Sequence, residues 1–115
     1  MGRLRTSLAA ALGAFALVLT LPTSAHAADG EFRYTYNDAS GQVRVGLVIN
    51  PPDGICIDLP EVADELLPAA HTPRNGTDAY AYVFKGSRCQ GDVFRLRPGG
   101  GASDRLKLRS VIFVR

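Results

Sequence analysis

The stretch AYAYVFKGSRCQGDVFRLR, Ala79–Arg97, decides the fold. Ala79 to Phe84 is rich in β-branched and aromatic residues, which suit a pleated, half-buried surface. Lys85-Gly86-Ser87-Arg88 then supplies turn chemistry. From Val93 to Arg97, Phe94 and Leu96 alternate with Arg95 and Arg97, placing apolar side chains on one face and cations on the other. A strand, a glycine-bearing turn and a second strand predict an antiparallel hairpin.

Working outward, the same period of two recurs. Phe32, Tyr34 and Tyr36 alternate with Arg33 and Thr35, the pattern of a half-buried strand. After the turn residues Asn37-Asp38 and Ser40-Gly41, the residues Val43, Val45, Leu47 and Ile49 alternate again. Asn50-Pro51-Pro52-Asp53-Gly54 breaks the run. Ile55 to Leu59 reads as a short strand carrying Cys56. Pro60 to Leu67 is the one helical candidate, with Pro60 early, Glu61, Asp64 and Glu65 near its start, and Pro68 to end it. Ala69 to Asp78 reads as a loop, Pro98-Gly99-Gly100-Gly101 as another, and Leu106 to Val114 as the closing strand or strands. About seven short strands separated by frequent turns predict an all-β protein, a small sandwich or barrel with one short helix.

The first 27 residues carry a different signal. Arg3 and Arg5 form a basic start. The apolar run Leu8 to Leu21 is shorter than the ~20 residues a spanning helix needs. Ala25-His26-Ala27 matches the small-x-small cleavage pattern. A signal peptide over residues 1–27 is therefore expected, leaving residues 28–115 as a single secreted domain. In an oxidising compartment Cys56 and Cys89 are expected to form one structural disulfide. Closing a loop of about 33 residues would stabilise the fold by roughly 3–4 kcal/mol on the chain-entropy view.

Removing Arg3 and Arg5 leaves 11 basic residues against 11 acidic ones. This neutral total argues against a nucleic-acid partner. The charges are segregated, however. Residues 28–80 hold nine acids against Arg33, Arg44 and Arg74, whereas residues 81–115 hold eight bases against Asp92 and Asp104. Segregation along the chain can still cancel in space if the halves face each other.

Phe84, Cys89 and Gly91, followed by Ser110 ahead of Val111-Ile112-Phe113-Val114, carry a resemblance. Their spacing resembles the Greek key of the βγ-crystallin superfamily: an aromatic, four residues, a second aromatic, one residue, glycine, and later a serine on the fourth strand. Cys89 stands at the second aromatic position. The resemblance implies a small Greek-key β-sandwich whose hairpin folds over the sheet. Gly91 would take an unusual φ there, and the Ser110 hydroxyl would satisfy hairpin backbone. The chain is similar to small secreted actinobacterial members of that superfamily, the metalloproteinase-inhibitor and killer-toxin-like proteins. Its ending, from Leu96 to Val111, looks typical of streptomycete secreted proteins. Crystallin-type calcium sites are departed from, because Arg105, Leu106 and Arg109 occupy their ligand positions. Cationic side chains do not coordinate a hard cation, so calcium is not expected.

Catalytic patterns are sparse. His71 is the only histidine after residue 27 and sits without an acidic neighbour in sequence. One histidine and two disulfide-bound cysteines fall short of a zinc ligand set. The Gly99-Gly100-Gly101 run lacks the Lys-Ser/Thr of a phosphate loop. No catalytic residue, metal or cofactor is therefore assigned, and nothing amphipathic points to membrane insertion.

Two groups read as partner-binding candidates. Phe32, Tyr34 and Tyr36 form an aromatic stripe in a leading segment, 28–47, that is either an ordinary first strand or a strand offered to a partner's sheet. Arg105, Lys107 and Arg109 are expected to share a strand face, with Arg95 and Arg97 beside them. That face is either a patch for an anionic polymer or acidic partner, or a solvated face paired with the acidic first half. The expected function is a secreted, non-catalytic protein-binding module. Its size, export signal, β-rich composition and leading segment resemble the adaptor subunit of streptomycete umbrella-shaped toxin particles, a likeness of organisation. The alternatives are a protease inhibitor presenting Arg74-Asn75 on the loop 69–78, and a stand-alone killer-like antimicrobial protein.

Overall fold

The structure is a computed structural model and describes residues 27–115. Apart from Ala27, the expected signal peptide lies outside the described residues. Eight strands follow in order: β1 (Gly30–Asn37), β2 (Val43–Ile49), β3 (Ile57–Asp58), β4 (Ala70–Thr77), β5 (Tyr80–Phe84), β6 (Val93–Leu96), β7 (Lys107–Leu108) and β8 (Ser110–Val114). They form two antiparallel four-stranded sheets, ordered β2-β1-β4-β7 and β3-β8-β5-β6. Each sheet thus takes three strands from one half of the chain and its short fourth strand from the other half. The all-β sandwich expected from the alternation is the architecture present.

The core lies between the sheets. Phe32 and Tyr34 from β1 meet Phe113 and Val111 from β8, together with Val83, Leu96, Leu108, Leu59 and Val62. Phe32 packs edge-on to Phe113 with ring centres 5.4 Å apart, which stacks β1 over β8. A buried polar knot supports the middle of the sandwich. The Asn75 amide donates to the carbonyls of Ala79 (2.8 Å), Leu96 (3.1 Å) and Arg97 (3.1 Å), and its oxygen accepts the Thr77 hydroxyl at 2.7 Å. These bonds tie β4 to the start of β5 and the end of β6.

Residues 70–77, expected as a loop, are the interior strand β4. Pro73, Asn75 and Gly76 are turn-forming residue types, but a bulge absorbs the proline. The register to β1 shifts between Arg33 and Thr35, and Thr72 takes φ 53°. The expected helix at 60–67 is a single 3-10 turn, Pro60–Val62. Asp64 accepts the Leu66 amide at 2.9 Å, a local turn that competes with helical bonding. The Arg109 guanidinium meanwhile takes the carbonyls of Val62 (3.0 Å), Asp64 (2.9 Å), Glu65 (3.4 Å) and Leu67 (2.6 Å).

The β5–β6 hairpin is folded as expected. Gly91 has φ +83°, and Arg88 and Cys89 both have φ 55°. Successive amides of Ser87, Arg88 and Cys89 donate to Glu65 (2.8 Å), Asp58 (2.7 Å) and Ser110 Oγ (2.8 Å). The Ser110 hydroxyl in turn donates to the Gly86 carbonyl at 2.6 Å. The Cys56–Cys89 disulfide ties this hairpin to the approach to β3, with Cα atoms 6.0 Å apart.

Candidate functional site

The aromatic stripe of β1 is internal. Phe32 and Tyr34 are buried, and β1 lies between β2 and β4, so these two rings fill this domain's own core and offer no partner surface. The Tyr34 hydroxyl donates to Glu61 Oε1 at 2.7 Å. Burial first, and the bond to Glu61 second, hold its phenol well above the ordinary value of 10.0. Tyr36 is half-buried, 6.2 Å from Tyr34 between ring centres. It lines a hollow of about 650 Å³ with Asp38, Glu61 and Leu67.

The exposed aliphatic side chains of this region lie on the neighbouring strand, β2. Val43, Val45, Leu47 and Ile49 are 70, 60, 47 and 60 % exposed. Their alternation suggested a buried face, but the register to β1 reverses it. Gly46 stands opposite Tyr34 and Val48 opposite Phe32, so the even-numbered positions face the core. A Cβ on Gly46 would lie 2.3 Å from the Tyr34 ring, so the ring occupies the space a side chain would take.

Among the described residues β2 is also an open edge. Asn50 donates to the Gly30 carbonyl (2.8 Å) and Asp38 to the Gln42 carbonyl (2.9 Å). In an antiparallel ladder this assigns the even-numbered residues of β2 to the bonds with β1. Val43, Val45, Leu47 and Ile49 therefore turn their amides and carbonyls toward the open edge. Unpaired backbone and four aliphatic side chains coincide along one strand. At its hairpin end, Asp38 accepts from Arg44 Nε at 2.7 Å and from the Ser40 hydroxyl at 2.7 Å. The Arg44 bond first, and the Ser40 bond next, hold its carboxyl well below the ordinary carboxylate range.

Arg105, Lys107 and Arg109 do not share a strand face. Lys107 belongs to β7 in one sheet, the chain crosses at Arg109, and β8 begins in the other sheet. Arg109 is consumed by its four carbonyls and is a structural clamp. Arg105 and Lys107 line one cleft of about 280 Å³ with Lys85, Asp92, Phe94 and Leu106. Arg95 stacks over Tyr80 at 4.9 Å on the outer face of its sheet. Lys85 and Phe94 escaped the sequence reading because the cleft forms between strands of different sheets.

His71 lies on β4, with Nδ1 2.8 Å from the Thr72 hydroxyl. Among the described residues, no cluster of three or more His, Cys, Asp or Glu could hold a metal ion, and no helix is long and apolar enough to cross a membrane. No protein-family model, curated protein or solved structure matches the chain.

Proposed function

We propose that this chain is a secreted, non-catalytic protein-binding module that docks a larger partner by strand addition at β2. The observation carrying the reading is the open edge at Val43–Ile49, where outward backbone groups and four exposed aliphatic side chains run together. Long apolar edges pair readily with other chains, and natural sheets usually blunt them with charge, proline or a cover. Here none of the four outward positions carries a charge. A partner strand would gain main-chain hydrogen bonds for affinity and side-chain contacts for specificity.

The edge supplies only seven residues, against ~20–30 per side in a stable interface of standard size. Self-pairing through β2 alone is correspondingly weak, which favours a partner that also grips neighbouring surface. That requirement fits an adaptor within an extracellular toxin assembly, the role implied by the resemblance in organisation. The inhibitor reading loses ground, because Arg74 and Asn75 lie in β4 and Asn75 is buried.

The test uses the mature protein, residues 28–115, as bait in culture medium of the organism that makes it. Val45→Lys places a charge on the open edge at an exposed position and should change stability by less than ~0.5 kcal/mol. The expected result is a captured protein that crosslinks to residues 43–49 and is lost with Val45→Lys. Equal capture by Val45→Lys, or recovery of free monomer alone, overturns the reading.

A further inference from the structure

We infer a second docking site on the opposite flank, at β6, for an extended acidic peptide carrying one large apolar side chain. It is independent of the β2 reading and draws on three observations.

The first is an uncovered piece of core. Phe94 pairs with Val83, whose side chain is buried between the sheets, so Phe94 points to the same side. The facing sheet ends there in the two-residue strand β7. Phe94 is consequently 51 % exposed, in the cleft of about 280 Å³ that Leu106 also lines. A ring open to water beside core residues offers a seat for one apolar side chain.

The second is charge. Lys85, Arg105 and Lys107 line the same cleft, with Asp92 as the acidic residue among them. Lys107 Nζ donates to the Asp104 carbonyl at 2.6 Å, which leaves two of its protons free. Ion pairs among the described residues are Arg33–Glu31, Arg44–Asp38 and Arg115–Asp78. Only the last joins the acidic half of the chain to the basic half, and none involves a cleft cation, although Glu65 lines the adjoining hollow with Lys85 and Lys107. The cleft cations are available to carboxylates from outside.

The third is backbone. Lys85 donates to the Asp92 carbonyl at 2.9 Å, and with the register to β5 this assigns Asp92, Phe94 and Leu96 to the ladder. Val93 and Arg95 then turn their amides and carbonyls outward, on an edge that no strand among the described residues covers. A peptide fits this combination better than a polysaccharide, because it can answer the open backbone as well as the charge. Its apolar side chain would enter beside Phe94, and flanking Asp or Glu would meet Lys85, Arg105 and Lys107.

Because β1 stacks over β8 and the β7 end of its sheet lies beside Phe94 of β6, the sheet orders place β2 and β6 on opposite flanks. Both edges can be occupied at once, which makes the domain a bridge between two partners.

The test is fluorescence anisotropy with residues 28–115 and a labelled ten-residue probe: a single central Phe flanked by Glu and Thr. Comparison probes replace the Phe with Ala or the Glu with Lys, and polyglutamate serves as a plain polyanion. The expected result is saturable binding of the acidic Phe probe. Binding should weaken at least tenfold with Arg105→Glu/Lys107→Glu, with Phe94→Ser and with either altered probe, and should be unchanged with Val45→Lys. Circular dichroism and a thermal midpoint verify that each variant is folded. No binding at millimolar probe overturns the inference. So does polyglutamate binding as tightly as the probe with no effect of Phe94→Ser, which marks a general charged surface. Loss of binding with Val45→Lys also overturns it, because the peptide would then occupy β2. Failure of partner capture at β2 leaves this measurement intact, so the two proposals fail separately.

Discussion

Ser110 shows how much one hydroxyl can organise. Buried beneath the folded hairpin, it accepts the Cys89 amide and donates to the Gly86 carbonyl. Ser110→Ala leaves both backbone groups without this partner and should cost about 1–3 kcal/mol, read as a lower urea midpoint. The resemblance carried by Phe84, Cys89, Gly91 and Ser110 implied this role from the sequence. Tyr34 was legible only as an apolar position, because Glu61 reaches it from a distant turn. Its folded pKa is raised, so the stability it contributes is complete below pH 10, the unfolded value, and is lost as pH climbs above that. Wild-type protein should therefore have a lower urea midpoint at pH 11 than at pH 9. Tyr34→Phe should have a lower midpoint at pH 9 and a smaller drop between the two.

At the scale of elements, β2 depends on its neighbour for space. Gly46→Ala drives a methyl group into the Tyr34 ring and should destabilise by about 1–3 kcal/mol, measured by thermal or urea unfolding. Alternation identified β1, β2 and β6 as strands, and β-branched and aromatic content identified β5, since both are local properties of the chain. It could not say which face of β2 meets the core, because that depends on the register to β1. β4 escaped for a related reason. Pro73 and Gly76 are turn residues in isolation, and Asn75 is a core residue only because the carbonyls of Ala79, Leu96 and Arg97 converge on its amide. Of the cations expected together, Arg105 and Lys107 line one cleft, but Lys85 and Phe94, which line it too, were not legible because two sheets meeting make it. Arg109 was misassigned because its partners lie more than forty residues earlier in the chain.

For the whole molecule, the disulfide closes the segment that passes from one sheet to the other and back. Reduction, or the double variant Cys56→Ser/Cys89→Ser, should remove about 3–4 kcal/mol on the chain-entropy view. That corresponds to a fall in Tm of more than about 10 °C for a domain of this size, visible by calorimetry. The start of the described residues is built into the same frame. Ala28 is buried and donates to the Pro51 carbonyl at 2.8 Å, while Arg115 reaches both Ala27 and Asp78. The folded hairpin carries a further consequence. Its three consecutive amides are each held by a side chain from a different, distant segment: Glu65, Asp58 and Ser110. The bonds from Ser87 and Cys89 are partly shielded, whereas the one from Arg88 to Asp58 is exposed. Two amides of a turn at the rim of the sandwich, those of Ser87 and Cys89, should thus resist deuterium longer than the Arg88 amide between them.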